Sequence, residues 1–131
     1  MAVKELEARK RALVCVNAAL EKKAQELVVM KVKEISAFTD YFVICSGSSD
    51  RQVQAIAAAI REKMKKKGLL PMGVEGESHG QWVLMDYDDV VVHIFYGPVR
   101  EFYAIERLWS EAPLLEVDEQ VLKVKDLGEG M

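Results

Sequence analysis

The chain is poor in cysteine, proline and histidine and has no excess of positive charge. Its 131 residues include two cysteines, three prolines and two histidines, and the net charge is −3. Cys15 and Cys45 fall in a helical pattern and an apolar strand pattern. Two isolated cysteines so placed read as small buried hydrophobes of a reducing compartment, not as a disulfide framework. His79 and His93 match neither HExxH nor a zinc-ligand spacing. No GxSxG, GxxxxGK[ST] or GxGxxG is present, so neither a nucleophilic serine nor a phosphate-cradling loop has a motif behind it. No apolar run approaches the roughly 18 residues of a membrane span. The N-terminal MAVKELEARKRALV mixes both charges, lacks the apolar stretch of a signal peptide and is too acidic for a transit peptide. A cytoplasmic protein without membrane contact is expected. A protein held by nucleic-acid phosphates should carry a basic excess. The one lysine cluster, Lys63, Lys65, Lys66 and Lys67, ends a helical pattern, where cations favour the helix dipole. Direct sequence-specific nucleic-acid binding is not expected, and a basic protein is the better partner.

Half the residues are apolar and 30% are charged, the balance of an ordinary single domain with a real core. After a charged lead-in over residues 1–11, apolar positions Leu13, Val16, Leu20, Ala24 and Leu27 mark one helix face. Short β-rich runs follow at 28–33 and 40–45. Ser46-Gly47-Ser48-Ser49 then feeds a helix for which Ser49 and Gln52 fit a capping box, with Gly68 as its stop. Strands are expected at 72–74, 81–87 and 90–96, the last two forming a hairpin around Asp88-Asp89. Between the first two of these, Gly76 and Gly80 bracket an acidic loop that reads as flexible. Pro98 opens a final helix through Phe102, Ile105 and Trp109. Beyond Pro113 the pattern dissolves, which predicts one domain over 1–113 and a docked or disordered tail over 114–131. The fold class is α/β, a mixed sheet of about five strands with helices packed on it.

The stretch from Gly80 to Trp109 carries both tryptophans and three of the four tyrosines. It reads as a binding surface or an enzyme cleft. For the cleft, Asp86 and Asp88 stand two apart, as in strands that present a carboxylate pair to a divalent cation, with Asp89 or Glu77 as a third. With Gly47-Ser48 they resemble a nucleotidyltransferase pattern. In that pattern, however, the pair follows the Gly-Ser turn on the next strand, whereas here a helix and a further strand intervene. Carboxylates at a hairpin are also ordinary turn formers. For the surface, alternation puts Trp82, Leu84 and Asp86 on one face of a strand. An aromatic anchor beside an acid suits an interface hot spot, and Trp82 and Leu84 would equally serve as core beneath a helix. His93 reads as a hydrogen-bonded sheet histidine.

Three blocks carry a family resemblance. The first is Thr39-Asp40-Tyr41-Phe42-Val43-Ile44 through Ser46-Gly47, Ser49, Arg51-Gln52-Val53 and Ala55-Ile56. The second is Gly80, Trp82-Val83-Leu84, Asp86, Asp89-Val90-Val91-Val92-His93 and Phe95. The third is Arg100-Glu101-Phe102-Tyr103, Glu106 and Leu108-Trp109. In this order they resemble the ribosomal silencing factor (RsfS, Iojap-like) family. The resemblance implies a nucleotidyltransferase-like fold without catalysis and without a cofactor. It also implies binding to ribosomal protein L-fourteen of the large ribosomal subunit, a block on subunit joining that represses translation, and a homodimer when free. Trp82, Leu84 and Asp86, helped by Glu77 and Glu75, are the expected contact residues. Two positions depart from the family pattern: Asp88 stands where glycine is common, and Gly97-Pro98 replaces the usual residues after the last strand of the hairpin.

Overall fold

A computed structural model describes residues 3–118 and 123–126. In chain order the elements are α1 (Val3–Glu21), β1 (Gln25–Lys31), β2 (Tyr41–Gly47), α2 (Asp50–Lys66), β3 (Gly73–Glu75), β4 (Trp82–Asp86), β5 (Val90–Tyr96), α3 (Gly97–Tyr103), α4 (Ile105–Leu108), β6 (Leu114–Asp118) and β7 (Lys123–Asp126). The strands form one sheet in the order β3-β4-β5-β2-β1-β6-β7. β2 and β5 run parallel at its centre, and the other pairs are antiparallel. β2 is buried along its whole length, as expected of a continuous apolar run covered on both sides.

The two sides are covered differently. On one, α1 and α2 pack over Val43, Cys45, Val83, Met85, Val92 and Ile94, all fully buried. On the other, Met30, Val32, Phe42, Ile44 and Phe95 form a smaller cluster, capped by Val99, Ile105 and Trp109 from α3, α4 and the residue after it. These are called the helix face and the aromatic face below. Both cysteines are free thiols buried on the helix face. Burial pushes the Cys45 thiol up to about 12 and raises that of Cys15 as well, so neither offers a thiolate at neutral pH.

Several boundaries differ from the sequence expectation. Helix α1 starts at Val3, within the stretch read as a lead-in, and Ala8 and Ala12 are fully buried. Its inward stripe is Ala8, Ala12, Cys15, Val16 and Ala19. These small side chains let α1 lie close to its neighbours, and a search for large apolar residues passes over them. The helix stops at Glu21, before Leu27, because Lys23 turns left-handed (φ 61°) and the Ala24 N–H returns to the Ala19 carbonyl. The sheet has seven strands rather than about five, and the extra two follow Pro113. Backbone pairing of Met30 with Leu114 and of Val29 with Leu115 joins β6 to β1. Leu115 is buried on the helix face. The mixed charge of this segment hid a two-residue alternation that needs a neighbouring strand to become legible. The rest of the predicted tail lies outside the described residues. The final helix is likewise split, because Ala104 takes φ 45° and separates α3 from α4.

The predicted cap of α2 is present. The Gln52 N–H donates to Ser49 Oγ at 3.1 Å. The return bond shifts by one residue, with the Ser48 N–H donating to Gln52 Oε1 at 2.6 Å. Gln52 Nε2 also donates to the carbonyls of Lys22 and Lys23. Ser48 and Ser49 of the turn are therefore spent on capping α2, and Gln52 ties that cap to the residues that follow α1.

Candidate partner-binding face

Strand β4 places the site. Side chains alternate along a strand, so Val83 and Met85 enter the helix face and Trp82, Leu84 and Asp86 point to the aromatic face. Burial follows the alternation: Val83 and Met85 are fully covered, and the other three are half-buried. Cross-strand partners share a face. Trp82 lies opposite Phe95, Leu84 opposite His93 and Asp86 opposite Val91. On the other flank Glu75 lies opposite Leu84. Four of the five expected contact residues, Trp82, Leu84, Asp86 and Glu75, therefore share one face.

Glu77 does not join them. Its carboxylate takes both guanidinium nitrogens of Arg61 on α2, at 2.7 and 3.2 Å. The carbonyls of Glu77 and Ser78 accept from Gln54 Nε2 on the same helix. The expectation that Glu77 helps Asp86 is corrected on this ground, because α2 draws the loop toward the helix face. Nor is the loop free at its ends. Gly76 (φ 81°) and Gly80 (φ 68°) are left-handed, and a Cβ on them would lie 2.0 Å from the Trp82 carbonyl oxygen and 2.6 Å from that of Asp50. The glycines that suggested flexibility are there for close backbone approach.

Trp82 is neither core nor a loose surface residue. Its ring stacks on Phe95 at 4.9 Å and leans on Tyr103 of α3 at the same centroid distance. Its indole N–H donates to His93 Nδ1 at 3.2 Å. Phe42 meets His93 and Trp109 edge-on at 5.2 and 5.0 Å. Beside Trp82 a shallow groove of about 540 Å³ runs past Gln81, Pro98, Phe102 and Tyr103. Phe102 is 81% exposed and Leu108 79%. The aromatic face is thus continued by apolar side chains with no cover of their own. Tyr103 and Phe102 were absent from the sequence-derived contact set. Their adjacency in Glu101-Phe102-Tyr103 was the available signal, since a helix cannot bury two neighbouring aromatics on one stripe.

Arg100 fixes this end of the face. It is 7% exposed, and it donates to Ser46 Oγ at 2.9 Å, to the Glu26 carbonyl at 2.7 Å and to Glu106 at 3.0 Å. One side chain so ties β1, β2 and α4 to α3. His93 is 6% exposed, and burial holds its pKa down at about 4. The imidazole is neutral at physiological pH, and because an indole N–H can only donate, Nδ1 is its acceptor atom.

The carboxylates of the hairpin have structural tasks. Asp86 Oδ1 accepts the Asp88 N–H at 2.8 Å. Asp89 Oδ2 accepts from Arg11 of α1 at 2.5 Å. Asp88 has φ 73°, a conformation that suits glycine and is tolerated by Asp, which accounts for the glycine that the family pattern favours here. Among the described residues no three His, Cys, Asp or Glu side chains are grouped as metal ligands would be. The fit of a divalent cation to Asp86 and Asp88 is poor, because the two candidates for a third carboxylate are paired elsewhere, Asp89 with Arg11 and Glu77 with Arg61.

Comparison with known proteins gives this face its context. The family model described as "Ribosomal silencing factor during starvation" matches residues 5–129. The chain belongs to the ribosomal silencing factor family. It is 42% identical over 103 residues to the ribosomal silencing factor RsfS of Halalkalibacterium halodurans, covering 79% of this chain and 88% of that protein. It is 42% identical over 98 residues to RsfS of Bacillus subtilis, covering 75% of this chain and 83% of that protein. A crystal structure from Bacillus halodurans superposes with a TM-score of 0.71 at 40% identity, covering 79% of this chain and 94% of that one. The family match extends past Pro113, in keeping with β6 and β7 as part of the sheet. Among the described residues no helix is long and apolar enough to cross a membrane.

Proposed function

We propose that this protein silences translation by docking its aromatic face on ribosomal protein L-fourteen of the large ribosomal subunit, in the cytoplasm. The docked domain occupies space the small subunit needs, so the subunits fail to join. It acts as a binding protein rather than an enzyme, and a homodimer stores it when free. The observation that carries the reading is the incomplete cover of one sheet face in a member of this family. Trp82, Leu84, Asp86 and Glu75 lie together there, continued by Phe102 and Tyr103. Apolar contact surrounded by acid suits a basic protein surface, and the net charge of −3 favours approach to protein over phosphate. A burial of this kind concentrates binding energy in a central aromatic, whose truncation costs about 2 kcal/mol or more.

The test is sedimentation with purified large subunits, small subunits and joined ribosomes. Binding to large subunits alone is expected, with loss in Trp82→Ala under conditions where its circular dichroism is unchanged. Equal binding to both subunits, or none, would remove the proposal. Size-exclusion chromatography across a dilution series addresses the dimer separately.

A further inference from the structure

Trp82 is held from three directions, and only one of them is directional. Phe95 lies beneath the ring and Tyr103 beside it, and both contacts tolerate sliding and rotation of the indole. The hydrogen bond from Nε1 to His93 Nδ1, 3.2 Å long, does not. It needs the indole edge to point along the sheet toward β5. His93 is itself fixed: Phe42 meets it edge-on at 5.2 Å, and Phe95 lies nearly parallel to it at 11°. It sits within the otherwise apolar run VVVHIFY on a central strand, where any hydrophobe of similar size would pack. A buried imidazole lacking a partner is unfavourable, so the bond to Trp82 is what reconciles it with its site.

We propose that His93 is a positioning residue of the partner-binding face, whose Nδ1 accepts the Trp82 indole N–H and orients that ring before a partner arrives. The inference rests on the docking proposed above. An anchor already in its bound orientation loses less freedom on binding. His93 does not touch the partner, being covered by the rings it organises. The neutral imidazole, maintained by burial, keeps the Nδ1 lone pair available throughout the physiological range. The diagonal relation of Trp82 and His93 across β4 and β5 is within reach of aromatic side chains. The sheet register therefore builds the contact without any loop.

Two substitutions at 93 test it. His93→Gln offers an acceptor oxygen, and His93→Leu packs without one. In the unaltered protein the Trp82 indole N–H resonance should be shifted downfield and slow to exchange. In His93→Leu it should lose both properties, and large-subunit binding should weaken about three- to tenfold with unchanged sedimentation as a folded domain. His93→Gln should restore most of both. Should His93→Leu fail to fold, 3-benzothienylalanine at position 82 removes only the N–H and keeps the ring shape, with the same loss expected. If either acceptor-less or donor-less protein binds large subunits as the unaltered one does, the positioning proposal is overturned while the docking stands. If the unaltered protein does not bind large subunits, both fall.

Discussion

The two faces of one five-residue strand meet different demands. On β4, Val83 and Met85 are sealed on the face that α2 covers, while Trp82, Leu84 and Asp86 remain half-open. The helix face is closed by two long helices and small, interlocking side chains. The aromatic face has a seven-residue and a four-residue helix over one end, and rings rather than aliphatics fill the rest. Aliphatic packing rewards complete burial. A partly open cluster of rings gains from edge and stacking geometry and still presents area to another protein. The difference teaches that a sealed core and a half-open surface are separated by a single residue step along the backbone.

The same substitution at adjacent positions breaks this comparison most sharply. Met85→Asp places a carboxylate among fully buried aliphatics of the helix face. A destabilisation beyond about 4 kcal/mol is expected, enough to unfold a marginal domain, and urea titration would register it. Leu84→Asp, one position away, meets solvent and should change stability by less than about 1 kcal/mol while abolishing large-subunit sedimentation. Equal destabilisation by both would mean that the aromatic face is core and that the contact lies elsewhere.

Proton binding sharpens the same contrast, because the aromatic face buries a titratable ring. Burial holds the pKa of His93 in the folded protein at about 4, below the ordinary imidazole value of 6.5. Above pH 6.5 the ring is neutral in both states and adds no slope. As pH falls from 6.5 toward 4, the unfolded chain takes up a proton that the folded one refuses. Stability should decline across that window by up to about 3 kcal/mol and level off below it. His93→Gln should flatten this segment of the pH–stability curve, measured by denaturant titration at fixed ionic strength. A segment that persists in the variant would assign the slope to other groups.

How much of this was visible beforehand follows from which forces are local. The alternation in Trp82-Val83-Leu84-Met85-Asp86 showed which side chains share a sheet face, since strand geometry alone decides it. The cap at Ser49 and the turn at Asp88 were legible for the same reason. Which of Trp82's sides would be covered was not, because the cover comes from Tyr103, more than a strand and a turn away in sequence. The bond between Trp82 and His93 depends on hairpin register, which two aspartates in a turn do not specify by themselves. The alanine stripe of α1 and the strand at Leu114 escaped because small or charged residues give weak apolar periodicity. Each becomes recognisable only against the neighbour it packs on. The placement of Glu77 failed for a related reason: its partner, Arg61, lies on the other side of an intervening strand and loop.

Glu77 and Glu75 supply the finest division between the faces. They stand two residues apart, and simple alternation would put them together. The intervening Gly76, left-handed at φ 81°, ends the alternation. Glu75 stays on the aromatic face opposite Leu84, and Glu77 turns to Arg61. Their ion pair is partly solvated, with side chains 41% and 33% exposed, so its contribution is expected to be under about 1 kcal/mol. Glu77→Gln should therefore lower stability slightly and leave large-subunit binding unchanged. Glu75→Lys, placing a cation where a basic partner approaches, should weaken binding several-fold and steepen the loss as ionic strength is lowered. Binding that responds to Glu77→Gln as strongly as to Glu75→Lys would extend the contact around the end of β4 onto α2, and the separation of the two faces would no longer describe how this domain meets its partner.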